Sequence, residues 1–141
     1  RMYDIVDDFT YRWMVKNNKP HAWFSYVKTT PTLLPQTYYF YAGQHYKAGE
    51  VQIWKAGDSL FVQCNMMNDW EATGSHLNVQ LTGYTGAPAF GLFPHTAEFD
   101  PAVGTFMYNV PWDPAWDGME LNISLHADVQ KLIPATDRSL K

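Results

Sequence analysis

The sequence predicts an all-β fold: a two-sheet antiparallel β-sandwich (jelly-roll-like) with an extended N-terminal arm. Three observations carry that expectation. Apolar residues recur with period two through several segments, which places them on one face of a strand. No stretch shows the apolar spacing of an amphipathic helix of three turns. Prolines and glycines interrupt the chain at intervals suited to turns, and usual strand lengths then give about eight to ten strands.

The chain of 141 residues is long enough for one domain with its own apolar core. Its 46% hydrophobic and 17% charged residues exclude a disordered chain. The 16% aromatic content exceeds ordinary core needs and points to binding or assembly surfaces. Net charge is -4 with no Lys/Arg cluster, so nucleic acid is not an expected partner. No apolar run reaches the roughly 20 residues of a membrane helix, and no membrane insertion is expected. The single cysteine, Cys64, has no partner for an internal disulfide and falls on an apolar phase, as a small buried hydrophobe does. The chain begins with Arg1, which fits a processed, secreted protein or a chain cut at that point, and secretion to the extracellular space or cell surface is the expectation.

Residues 1–36 are expected to form an extended arm, a hairpin and a proline-containing linker, a unit that a neighbouring subunit could accept. Phe9, Tyr11, Trp13 and Val15 alternate with Thr10, Arg12, Met14 and Lys16. After a turn at Asn17 to Pro20, Ala22, Phe24 and Tyr26 alternate with Trp23, Ser25 and Val27. Large apolar groups therefore stand on both faces of this hairpin. Thr29 to Gln36, with two prolines, reads as a linker.

Residues 37–133 are expected to be the sandwich core. Its clearest element is Gly49 to Asn65, where Val51 and Ile53, then Leu60, Val62 and Cys64, share one phase around a break at Lys55 to Asp58. Tyr38 to Tyr41 precedes it as an aromatic strand. Met66 to Ala72 reads as a polar connection, and Ser75 to Leu81 as a strand. Thr82 to Asp100, with three glycines and two prolines, reads as a long loop. Thr105 to Val110 and Met119 to Ala127 are strands flanking a turn with two tryptophans, and Val129 to Ile133 ends the sheet. Residues 134–141 form a loose tail.

Tyr41-Ala42-Gly43-Gln44, Ala48-Gly49 with Val51 and Ile53, Leu60-Phe61-Val62, Trp70, His76-Leu77, Phe93-Pro94, Tyr108 with Val110-Pro111, and His126-Ala127-Asp128-Val129 occur in an order that resembles a family of secreted and cell-surface β-sandwich domains. There a YAGQ strand precedes a GTV hairpin and an HA-V strand ends the domain. The chain also resembles the subunits of archaeal extracellular tubules, the cannulae. The resemblance covers roughly Tyr41 to Val129, and residues 1–36 match none of its motifs. It implies a non-enzymatic extracellular role; kinship to cannulae would add calcium-dependent self-assembly and a strand given by one subunit to the next.

On the residues themselves, Ile5, Phe9, Tyr11 and Trp13 are the expected subunit interface, because an arm with alternate apolar side chains can add to a neighbour's sheet edge. The partner is then the chain itself, in a homopolymer. Candidate calcium ligands are the carboxylates Asp7, Asp8, Asp69, Glu71, Asp113 and Asp117, none at a calcium-loop spacing. Solvated surface is the plainer reading for each. The alternative function is a carbohydrate-binding module in which Trp70, Trp112 and Trp116 stack on a glycan; against it stands the ordinary use of such rings as caps on the sandwich ends. His76 and His126 fit zinc only with a third ligand, which the sequence does not supply. Asn122-Ile123-Ser124 is a formal glycosylation sequon. No nucleophile or metalloprotease motif is present, and no enzyme activity or cofactor other than calcium is expected.

Overall fold

The computed structural model describes residues 10–16, 19–42, 46–67, 69–82 and 92–131. Among them the chain forms nine strands: β1 (Thr10–Lys16), β2 (Lys19–Thr29), β3 (Gln36–Ala42), β4 (Tyr46–Ala56), β5 (Ser59–Met66), β6 (Trp70–Leu81), β7 (His95–Val103), β8 (Thr105–Pro111) and β9 (Leu121–Lys131). A short 3-10 turn covers Pro114–Trp116. The strands build a five-stranded sheet, β1-β2-β9-β6-β7, and a four-stranded sheet, β3-β4-β5-β8. Every pairing is antiparallel.

The central hairpin forms as its alternation dictates. Val51 faces Cys64 and Ile53 faces Val62 across β4 and β5, and all four are buried. The connection is tighter than the four-residue break expected: Ala56 pairs with Ser59, and only Gly57 and Asp58 turn the chain. Gly57 takes φ 58°, a left-handed value that costs little without a Cβ. Gly49 is required for a different reason. A Cβ there would lie 2.5 Å from the Asn65 carbonyl oxygen of the facing strand.

The opposing sheet supplies the cover. In β6 and β9, Leu77 pairs with Leu125, Val79 with Ile123 and Leu81 with Leu121. Leu77, Leu121, Ile123 and Leu125 pack with Val51, Ile53, Leu60, Val62 and Phe106 in one cluster between the sheets. Each fully buried Leu or Ile stabilises this cluster by roughly 1.5–3 kcal/mol, and the sandwich is the arrangement that buries both inner faces at once.

Three boundaries differ from expectation. The long loop ends early, because residues 95–103 form β7, an edge strand in which Pro101 is tolerated since its missing donor faces no neighbour. Strand β6 begins at Trp70 and not at Ser75, with a register shift between Ala72 and Gly74 accommodating the added turn of chain. The two segments expected after Met119 are one continuous strand, β9. Within the sandwich, the jelly-roll-like order gives way to a meander: β3, β4 and β5 are consecutive neighbours in one sheet, where a jelly roll would alternate between sheets.

Candidate functional site

Strand polarity sorts the candidate residues onto the two ends of the sandwich. At one end lie the β2–β3 linker, the Gly57-Asp58 turn, and the segment from Trp112 to Glu120. At the other lie the β5–β6 connection and the β7–β8 turn at Gly104, tied together by Met66 N–H donating to the Gly104 carbonyl at 2.7 Å. Trp70 opens β6 at this second end, pairing with Lys131, while β6 reaches the first end at Leu81 opposite Leu121. Twelve residues of strand, at about 3.3 Å each, separate Trp70 from the level of Trp112 and Trp116. These three tryptophans form no common platform.

Trp112 and Trp116 instead cap the first end. Their rings meet edge-to-face with centroids 5.4 Å apart, and both pack on the core cluster. The Trp112 Nε1–H donates to Asp117 Oδ1 at 2.6 Å, its backbone N–H donates to the Asp58 carbonyl at 2.8 Å, and the Lys55 ammonium stands 5.1 Å above its ring. Asp113 caps the 3-10 turn, its Oδ1 accepting the Ala115 N–H at 2.9 Å. Both carboxylates of this pair thus have local structural work. Near the other end, Glu71 Oε1 accepts from Gln130 Nε2 at 3.0 Å, and Asp69 is exposed. Asp7 and Asp8 lie outside the described residues. Among the described residues no three His, Cys, Asp or Glu side chains come together as a metal site.

His76 and His126 do meet, as directly paired residues of β6 and β9 with ring centroids 5.7 Å apart. His126 Nε2 lies 3.2 Å from Asp128 Oδ1. Burial pushes the His76 pKa down, the facing His126 adds to that, and Asp128 opposes it. Cys64 is fully buried, with its thiol pushed up to about 12 by burial, as a structural hydrophobe requires. Asn122, the second residue of β9, is 8% exposed, with its Oδ1 accepting from Ser124 Oγ at 3.4 Å; its side chain is not presented to solvent.

The N-terminal candidates divide. Ile5 and Phe9 lie outside the described residues. Tyr11 and Trp13 are in β1, opposite Ser25 and Trp23. Strand β1 pairs with residues 19–26 of β2, whereas β9 pairs only with Ser25 to Thr29. Only Ser25 and Tyr26 are hydrogen-bonded neighbours of both. Lys19 to Phe24 and β1 therefore form a two-stranded ribbon, and β9 from His126 onward has a strand on its β6 side alone among the described residues. Burial changes at the same place: Leu121 to Leu125 are all buried, and none of His126 to Gln130 is.

Two features escaped the sequence reading. On the outer face of the four-stranded sheet, Trp54 and Phe61 are directly paired and stacked, with centroids 5.1 Å apart and planes 15° from parallel. At the first end, the corner between the two sheets opens as a cleft of about 510 Å³. Lys28, Thr29 and Thr30 from the end of β2 face Gln36, Thr37 and Tyr38 from the start of β3, and Glu120 closes the cleft just before β9. A signal for it existed: Gln36 shares the inward phase of Tyr38 and Phe40, a polar residue where the core pattern calls for an apolar one. Comparison with protein-family models, with characterised proteins and with solved structures finds no match to this chain.

Proposed function

We propose that this chain is a non-enzymatic structural subunit of the extracellular space or cell surface, self-assembling into a filament or tubule by β-strand donation between copies. The observation that supports this reading is the ribbon of β1 and Lys19 to Phe24, which among the described residues joins the sandwich only where Thr10 and Tyr11 pair with Tyr26 and Ser25. A two-stranded ribbon alone is marginally stable in water, and the sequence of this one is apolar on both phases, including Trp13, Met14, Trp23 and Phe24. A neighbouring copy offers such a ribbon both a sheet edge and a cover. Because the donating and accepting surfaces differ, the contact is heterologous and propagates as an open polymer.

The resemblance to cannula subunits agrees with this reading and suggests calcium as a variable to be tested. Asp7 and Asp8, and carboxylates brought together from two copies, are the ligands a calcium site could draw on. Negative-stain electron microscopy of the purified full chain, with millimolar calcium and with chelator, tests the proposal. Filaments or tubes are expected, and a chain lacking residues 1–16 is expected to remain dispersed. Monomers of the full chain under every condition would overturn self-assembly as the main role.

A further inference from the structure

We infer that the corner cleft between β2 and β3 is a binding site for a neutral sugar residue. The inference rests on the cleft alone and holds whether or not the chain assembles. Its centre is Gln36. The Thr29 hydroxyl donates to Gln36 Oε1 at 2.5 Å and the Tyr38 hydroxyl donates to the same oxygen at 2.7 Å. Two donors on one carbonyl fix the plane of the amide and occupy both of its acceptor sites. The two N–H groups of Nε2, on the other side of the same carbon, remain for a ligand. Thr29 and Tyr38 are themselves buried, at 6% and 7% exposure, so the support beneath the amide is rigid.

The rest of the lining completes a set suited to hydroxyl groups. Glu120 brings an acceptor that can bridge two neighbouring hydroxyls, Lys28 brings a donor, and Thr30 and Thr37 bring hydroxyls that act either way. One cation and one anion leave the lining without net charge, which disfavours a phosphate or a polyanion. The volume of about 510 Å³ lies in the range of small-molecule sites. A sugar residue satisfies such a mixture, since each hydroxyl both gives and accepts a hydrogen bond. The loop tryptophans, in contrast, are at opposite ends or engaged in capping.

Saturation-transfer NMR, read at the ligand and so indifferent to polymer size, tests this on the full chain. The probes are glucose, galactose, mannose and N-acetylglucosamine, with glycine as a zwitterionic comparison. Saturable transfer to at least one sugar is expected, weakened ~10-fold by Gln36→Ala, which removes the two N–H donors, and by Glu120→Gln, which replaces a charged acceptor of two oxygens with a neutral one of a single oxygen. Asn109→Ala, on the outer face of β8, is expected to bind as the parent does. If Gln36→Ala loses the β-sheet signal in circular dichroism, Glu120→Gln alone decides, because Glu120 is exposed. Transfer to none of the sugars, transfer to glycine only, or sugar binding unchanged in the folded cleft variants would overturn the assignment.

Discussion

Ser75 of the five-stranded sheet and Tyr108 of the four-stranded sheet join hydroxyls across the sandwich interior. Ser75 is fully buried, and the His95 ring lies 6.4 Å from the Tyr108 ring. Both residues occupy inward positions that the strand pattern reserves for apolar side chains: Tyr108 pairs with Val62, and Ser75 precedes Leu77 on the same face. Each hydroxyl is there because the other satisfies it.

Removing one partner should therefore cost more than removing both. Tyr108→Phe leaves a buried serine hydroxyl without its partner and is expected to destabilise by about 1–3 kcal/mol. Adding Ser75→Ala to that variant is expected to recover part of the loss. Urea unfolding of the single and double variants measures the coupling; additive costs would show that the bond contributes nothing.

Glycine-to-alanine changes should separate two positions at turns and strand crossings. Gly49→Ala sets a methyl group 2.5 Å from the Asn65 carbonyl oxygen and 3.0 Å from the Met66 Cα, both backbone atoms that cannot swing aside. A loss of about 1–3 kcal/mol is expected from overpacking. Gly104 faces open space, and Gly104→Ala is expected to change the thermal midpoint little. Equal midpoints for the two variants would contradict the close approach of β4 to β5.

Acid should weaken the fold through His76 and His95. Burial lowers the His95 pKa from its ordinary 6.5, and burial with the neighbouring His126 lowers that of His76. The unfolded chain then binds more protons than the folded one between the lowered values and 6.5, so stability rises with pH across that window. Denaturation midpoints are expected to be flat above about pH 7.5 and to fall as pH drops through the unfolded value near 6.5. His95→Gln, which leaves Tyr108 as the facing titratable ring, should flatten part of that fall. An unchanged slope would remove His95 from the account.

A thiol reagent should distinguish folded from unfolded chain without any added label. With its pKa near 12 and no exposure, Cys64 is expected to react at pH 8 only after unfolding, and then stoichiometrically. Rapid labelling of the native protein would place β5 at the surface and contradict the sandwich interior.

The sandwich was legible because burial in a sheet imposes period two, and residues 51–53, 60–64, 77–81 and 121–129 carry an apolar residue at every second position. Strand β7 was hidden by the glycines and prolines around it, since an edge strand needs no donor at Pro101 and the turn signals outweighed the alternation of His95, Ala97 and Phe99. The capping role of Trp112 and Trp116 was within reach as one of two readings, but choosing between them needed the partner of the indole N–H. The cleft was not visible, because Lys28, Gln36 and Glu120 are brought together by pairings far apart in the chain. Gln36, assigned to the linker, was the one residue whose phase betrayed it.

Strand β2 belongs to two cooperative units. Those of its amides from Ser25 to Thr29 that face β9 are held in that ladder, and exchange with solvent only when the sandwich itself opens. Those between Lys19 and Phe24 that face β1 are held, among the described residues, by β1 alone, so a local separation of the hairpin releases them. A protection boundary should thus fall inside a single unbroken strand, near Phe24 and Ser25. That boundary is a hinge in time: the ribbon can leave and return while the core stays closed.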